Sequence, residues 1–359
     1  MELFAALIWA FVASYAAVRI AKPVAYRFGL VDKPNERKHH TGAVPLIGGI
    51  AIFIGVMSAI MMFLPHNQIL NLYLLSAAII LMLGVLDDKH DLKVSHRLAV
   101  QALSAGIMIF GAELYLESLG FLLGFFEFKL SYVGILITVV AVIGAINAFN
   151  MVDGIDGLAG MLSIATFIGL AILFFVAGND AWVLPVLFIA AISAYLTFNL
   201  GWPNRKAKKI FMGDAGSMLI GLTVVWLLVF GSQGDTPAFK PVTALWVIAL
   251  PLMDMAAIMS RRIRKGQSPF KPDRDHLHHI CMRAGLSPRQ SLSLITAIAG
   301  FLIGLGILAE TAEAPEWLMF IGFIMMFAVY NYAIQHIWKL VKWIRELRGK
   351  PSSIEVEPK

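Results

Sequence analysis

"SYVGILITVVAVIGAINAFNMVDGIDGLAG", residues Ser131 to Gly160, opens with sixteen uncharged and mostly apolar positions, meets Asn147, Asn150, Asp153 and Asp156, and returns at once to apolar sequence. In hydrocarbon such a run must satisfy its backbone polar groups internally. Only a helix does that over this length, because barrel strands are shorter and alternate. Amides and carboxylates at the edge of such a helix need partners or a ligand. The stretch therefore reads as a membrane helix that ends in a polar mouth and is followed by a second membrane helix.

The pattern recurs outward from there. Apolar runs able to cross ~30 Å of hydrocarbon lie at Leu3–Ala21, Val44–Leu64, Ile69–Leu86, Leu98–Leu116, Leu130–Met151, Leu158–Ala177, Ala181–Leu200, Ile210–Phe230, Val242–Ser260, Leu292–Ala309 and Trp317–Trp338. They predict an all-α, polytopic integral membrane protein with about 11 transmembrane helices. A content of 59% hydrophobic and 14% charged residues excludes an ordinary soluble domain. Residues 1–348 read as a single membrane-embedded domain, with loops 22–43, 87–97, 150–157, 201–214 and 261–290 on one side, and 349–359 as a polar tail.

All but Lys129 and Lys240 of the 29 lysines and arginines fall on that side. The bias predicts that the loops and the C-terminus are cytoplasmic and the N-terminus is outside. The net charge of +6 then describes topology, and no basic soluble region is present to bind nucleic acid. The first run lacks a basic leader and a small-residue cleavage site, so it reads as a retained helix. The single cysteine, Cys281, rules out an internal disulfide and a Cys-based zinc site.

Four polar motifs share the predicted cytoplasmic face: Asp87 and Asp88 in "GVLDDKHDLK", the opening stretch, Asp214 in "IFMGDAGS", and Asp273, Asp275, His276, His278 and His279 in "PDRDHLHH". Each has a plain structural reading: a solvated helix end, an Asn/Asp/Gly turn, an N-cap among small packing residues, a surface histidine cluster. Their convergence on one face favours a shared cleft. Asp214, Asn150 and a neighbouring carboxylate offer hard oxygen ligands that suit Mg²⁺, or Mn²⁺, better than zinc. Gly213, Gly216 and Ser217 at a helix start would offer free N–H groups to a phosphate. Lys38, Arg205, Lys208, Lys209 and Arg274 add positive charge. Together these residues read as a site for a metal-chelated diphosphate beside the bilayer, built without a P-loop.

With these motifs in hand, the chain resembles the polyprenyl-phosphate N-acetylhexosamine-1-phosphate transferases. The resemblance runs from "GLVDKPNERKHH" and "PLIGGI" through "LDD", "NAFNMVDGIDGL" and "FMGDAGS" to "PLMDM" and "PDRDHLHH". "PLMDM", "SPFKPDRDHLHH" and "MRAGLSPRQ" are most similar to the bacterial branch that starts O-antigen and enterobacterial common antigen synthesis. The resemblance implies UDP-GlcNAc as donor, undecaprenyl phosphate as acceptor and UMP as leaving group. It implies Asn150 and Asp214 on Mg²⁺, Phe211 stacked on uracil, Asp156 on the nucleoside with Asp153 nearby, and Asp87 and Asp88 facing the acceptor phosphate. His276, His278 and His279 would meet the donor phosphates, and Lys38 the nucleotide. Asn147, Gly213, Ser217 and Arg274 complete the expected substrate-binding set, and the assembly entertained is a homodimer.

Three points stay open in the sequence. Asp87 is either a base or, since a phosphate monoester has a second pKa of about 6 and is already ionised near pH 7, an orienting group acting through a cation or a neighbour such as Lys89. Asp254 lies inside a membrane run and calls for a structural partner, with Asn199 or a basic residue as candidates. Another UDP-N-acetylhexosamine as donor, a polyprenyl-lipid binding or flipping protein, and an ion-coupled transporter are the competing readings. A transporter would place its acidic residues nearer the bilayer midplane.

Overall fold

The computed structural model describes residues 1–33, 42–201, 209–268 and 276–336. These residues form α1 (Glu2–Phe28), α2 (Gly48–Phe63), α3 (Gln68–His90), α4 (Val94–Gly106), α5 (Val133–Met151), α6 (Leu158–Val176), α7 (Val183–Asn199), α8 (Gly213–Ser232), α9 (Pro241–Val247), α10 (Ala249–Arg264), α11 (Leu277–Arg283), α12 (Pro288–Thr311) and α13 (Glu316–Gln335). The only sheet among them is an antiparallel pair of two-residue strands, β1 (Val31–Asp32) and β2 (Val44–Pro45), with Val31 opposite Pro45.

The chain is an all-α, multi-pass membrane protein. Eight helices among the described residues are long and apolar enough to cross a membrane, and α9 with α10 makes a ninth if the bent pair counts as one span. The described residues do not confirm eleven full spans. α2 has 16 residues, ~24 Å at 1.5 Å per residue, because the apolar run that starts at Val44 spends its first positions in β2 and the turn after it. α4 has 13 residues and widens into a π turn at Ile107–Gly111. Apolar length in sequence is therefore not helix length. The 80° bend between α9 and α10 also has a local cause. Pro251 has no N–H to give the Val247 carbonyl four residues earlier, and Ile248 adopts φ −109°, ψ 20° at that point.

α8 is apolar all round, and every residue but Asp214 and Phe230 is buried, which makes it the central helix. α2, α3 and α5 pack around it. Gly49 abuts Gly216, and Gly84 abuts Ala215, with no room for a Cβ at either contact. Small residues let membrane helices approach this closely. Both contacts lie in the first turn of α8, so they fix Asp214 beside the end of α3.

Candidate active site

The segment before α8 is held in place by "PLIGGI". The Phe211 N–H donates to the Pro45 carbonyl, and the Gly48 and Gly49 N–H groups donate to the Phe211 and Met212 carbonyls, each at 2.9 Å. Asn199 Nδ2 donates to the Ile210 carbonyl at 2.9 Å, which is what that buried amide is for. The start of α8 is thus set before any ligand arrives.

Asp88 closes that start. Its Oδ1 accepts from the Asp214 N–H at 2.9 Å and its Oδ2 from the Ala215 N–H at 3.3 Å. It acts as an N-cap supplied by another helix, and the N–H groups it takes are those of Asp214 and Ala215, not those of Gly213, Gly216 and Ser217 that the sequence reading offered to a phosphate. Gly213 has φ +72°, and a Cβ there would lie 2.5 Å from Asp88 Oδ2, so glycine is required on both counts. Ser217 Oγ hydrogen-bonds back to the Gly213 carbonyl at 3.3 Å and accepts from Asn150 Nδ2 at 3.0 Å.

Asp87 is buried, with Oδ1 accepting from the Leu92 N–H and Oδ2 paired with Arg97 Nη1, both at 2.9 Å. The basic partner is Arg97, and the suggested neighbour Lys89 is exposed. The Asp87 and Asp214 carboxyl groups are within hydrogen-bond reach of each other. Two carboxylates this close need a proton or a cation between them. Asn150 Nδ2 donates to Asp214 Oδ1 at 2.8 Å, on the same side.

Beside these residues, Asp153 lies in the loop after α5 and is exposed. Partial withdrawal from water, then the charges of Asp214 and Asp156, push its pKa up to about 7. Asp156 pairs with Lys209 Nζ at 2.6 Å, and the same ammonium stands 4.8 Å from the centre of the Phe211 ring. These three side chains form a second, more open group at the rim. Asn147 turns away from both groups: Nδ2 donates to Gln101 Oε1 at 3.0 Å and to the Ile143 carbonyl at 2.8 Å, tying α5 to α4.

The histidines approach from the other side. His276 Nδ1 meets Asp254 Oδ2 at 2.9 Å, and Tyr330 donates its hydroxyl to Asp254 Oδ1 at 2.7 Å. The partners of Asp254 are therefore His276, a basic side chain at the mouth, and Tyr330, and not Asn199. His278 stacks on His276 with ring centres 5.6 Å apart, and His279 lies 4.2 Å from His278. Burial, followed by the neighbouring His279 and His276, pushes His278 down to about 3, so it is neutral at pH 7. Its Nε2 lies where a Cβ on Gly154 would be, which seats "PDRDHLHH" against "NMVDGIDG".

Asp87, Asp88, Asp153, Asp156, Asn150 and Asp214 thus belong to one end of the bundle, as the motifs suggested. Lys38, Arg205, Lys208, Arg274, Asp273 and Asp275 lie outside the described residues. Among the described residues no three His, Cys, Asp or Glu side chains stand at metal-holding distances. The carboxylate oxygens of Asp87 and Asp214 still fit Mg²⁺, which uses one or two carboxylates and fills its other positions with water and substrate phosphates, whereas Asn150 turns its Nδ2 and not its oxygen to Asp214. Sequence reading missed Arg97, Tyr330 and Gln101, each a lone polar residue outside the quoted clusters.

A polytopic helical membrane protein with a carboxylate-lined site at one end of its bundle is the class these features define. Residues 70–232 match glycosyl transferase family 4. The chain is 46% identical over 349 residues to the undecaprenyl-phosphate alpha-N-acetylglucosaminyl 1-phosphate transferase of Pasteurella multocida, covering 97% of this chain and 98% of that one. The Haemophilus influenzae protein of the same name is 44% identical, over 96% and 98%. The Escherichia coli K12 protein, again of that name, is 45% identical, over 92% and 90%. The chain belongs to the glycosyl transferase family 4.

Proposed function

We propose that the protein transfers GlcNAc-1-phosphate from UDP-GlcNAc to undecaprenyl phosphate, giving GlcNAc-diphospho-undecaprenol and UMP, as the initiating step of polysaccharide assembly. The observation that carries this reading is the near-full-length identity to transferases of that name. The Lys and Arg distribution supports placing the reaction on the cytoplasmic face of the inner membrane.

In this reaction an oxygen of the acceptor phosphate attacks the sugar-bearing phosphorus, and the bond from that phosphorus to the bridging oxygen breaks as UMP leaves. Asp214 and Asp87 would hold Mg²⁺, and Asn150 would add its amide oxygen by turning over from its present Nδ2 contact with Asp214; the ion when bound would neutralise the diphosphate and the leaving UMP. Asp88 holds the α8 start rigid and is assigned to positioning, not to contact with the acceptor. Asp87 has both oxygens engaged, by Leu92 and Arg97. The acceptor has a second pKa of about 6 and is mostly dianionic at pH 7. Asp87 is therefore assigned to orientation and not to proton abstraction. Phe211, Lys209 and Asp156 form the platform assigned to the nucleoside. Its aromatic face suits stacking on a base, and Asp156 can accept from ribose or uracil.

Purified protein incubated with radiolabelled UDP-GlcNAc, undecaprenyl phosphate and Mg²⁺ is expected to yield labelled lipid and one UMP per lipid. UMP without labelled lipid, or label accumulating free inside sealed vesicles, would refute the transfer reading. EDTA is expected to stop turnover, and undiminished activity in EDTA would remove the metal from the scheme.

A further inference from the structure

We propose that Asp254 and Tyr330 form a positioning pair that locks the His276–His278 stack against the Asp153–Gly154 loop, and so sets the imidazole presented to the donor diphosphate. The proposal rests on the transferase reading for the identity of the donor, but not for the tie itself.

Asp254 is 3% exposed on α10, where a carboxylate is costly unless fully partnered. It is fully partnered. Oδ2 holds His276 Nδ1, while Oδ1 accepts from the Tyr330 hydroxyl at 2.7 Å and the Leu277 N–H at 3.2 Å. One buried group thus joins α10, the entry to α11 and α13. Committing Nδ1 to the carboxylate fixes the ring and leaves Nε2 as its free nitrogen, the arrangement by which a second group orients a working histidine.

The consequence passes on through stacking. The His276 and His278 rings are 9° from parallel, and His278 Nε2 is buried against Gly154 with no hydrogen-bond partner among the described residues. A buried polar nitrogen without a partner is a feature that calls for a ligand or a role. Here it abuts the loop that carries Asp153. The Tyr330 hydroxyl enters this tie through Asp254: it holds the carboxylate so that Oδ2 stays turned to His276.

A structural anchor for α13 would use the same hydrogen bond, and a double-mutant cycle separates the two roles. Tyr330→Phe is expected to raise KM for UDP-GlcNAc about tenfold, the scale seen when a supporting group behind a working histidine is lost, with KM for undecaprenyl phosphate unchanged. In a His276→Ala background the same change is expected to have no further effect. Equal losses in both backgrounds, or parallel rises in both KM values, would overturn the proposal in favour of a general anchor. A second measurement is independent of turnover: nitrogen-15 histidine spectra in detergent, with His276 assigned by its disappearance in His276→Ala. Tyr330→Phe should move the His276 Nδ1 resonance, and an unmoved resonance would also overturn the tie. Absence of any transfer by the wild-type protein would sink the transferase reading and leave the spectral result standing.

Discussion

A carboxylate that is exposed yet keeps its proton to about pH 7, as Asp153 does, opposes folding whenever it ionises. Its ordinary value is 3.8, so the folded state binds the proton more tightly than the unfolded chain. The stability linked to it is fully present below 3.8 and is lost as pH rises through about 7. Asp153→Asn removes this dependence. In EDTA the variant should melt above wild type at pH 8 and with it at pH 4, and Mg²⁺ at pH 8 should narrow the gap, because a dication beside Asp214 favours ionised Asp153. A gap of the same size at both pH values would show that Asp153 is not under this strain. The acidic residues themselves were legible in the sequence, since carboxylates at a membrane edge need an explanation. Which cation answers them was not. Lys89 and Arg97 are both near Asp87 in sequence, and only the turn after α3 decides that Arg97 folds back. Nothing in "LDD" reveals that Asp88 caps a helix more than a hundred residues away.

The start of α8 is the element on which the site depends. The glycines at and around it do two different jobs: Gly49 of α2 and Gly84 of α3 permit backbone contact, whereas Gly213 combines φ +72° with contact to Asp88. Gly213→Ala should cost on the order of 1–2 kcal/mol from the left-handed backbone and also push Asp88 off the Asp214 N–H, lowering activity about tenfold or more. Gly178→Ala is the control. Gly178 has φ +69° and nothing within 4 Å, so it should lose similar stability and keep full activity. Thermal unfolding and turnover measured on both variants decide the matter: equal activities would mean that the Asp88 contact does not matter to the site. At this scale the sequence showed where apolar segments lie, but not where helices stop. The bend at Ile248 needs the missing Pro251 N–H to be weighed against membrane burial. The π turn after α4 leaves no mark in a sequence that stays apolar to Phe110.

Across the whole molecule the end that carries the carboxylate site and the opposite end differ in their lysine and arginine content, and this asymmetry predicts which end faces the cytoplasm. The mouth-side loops hold nearly all lysines and arginines, while the far end collects Glu113, Glu117, Glu127, Asp180, Asp235, Glu310, Glu313 and Glu316. α6 leads from Asp156 at one end to Gly178 at the other in 19 residues, ~28 Å at 1.5 Å per residue, long enough to set the two ends on opposite sides of a bilayer. A UDP-sugar is cytoplasmic, and only one orientation gives it access. Two variants with one added cysteine each test this, since the native Cys281 is buried. Thr236, exposed in the loop before α9, and Lys265, exposed after α10, lie at opposite ends. With a membrane-impermeant maleimide on intact spheroplasts, Thr236→Cys should label at once, and Lys265→Cys only after the membrane is opened. The reverse pattern would put the carboxylates on the outer face, where no nucleotide donor is supplied, and would require the positive charge of the mouth to serve an anionic ligand from outside instead.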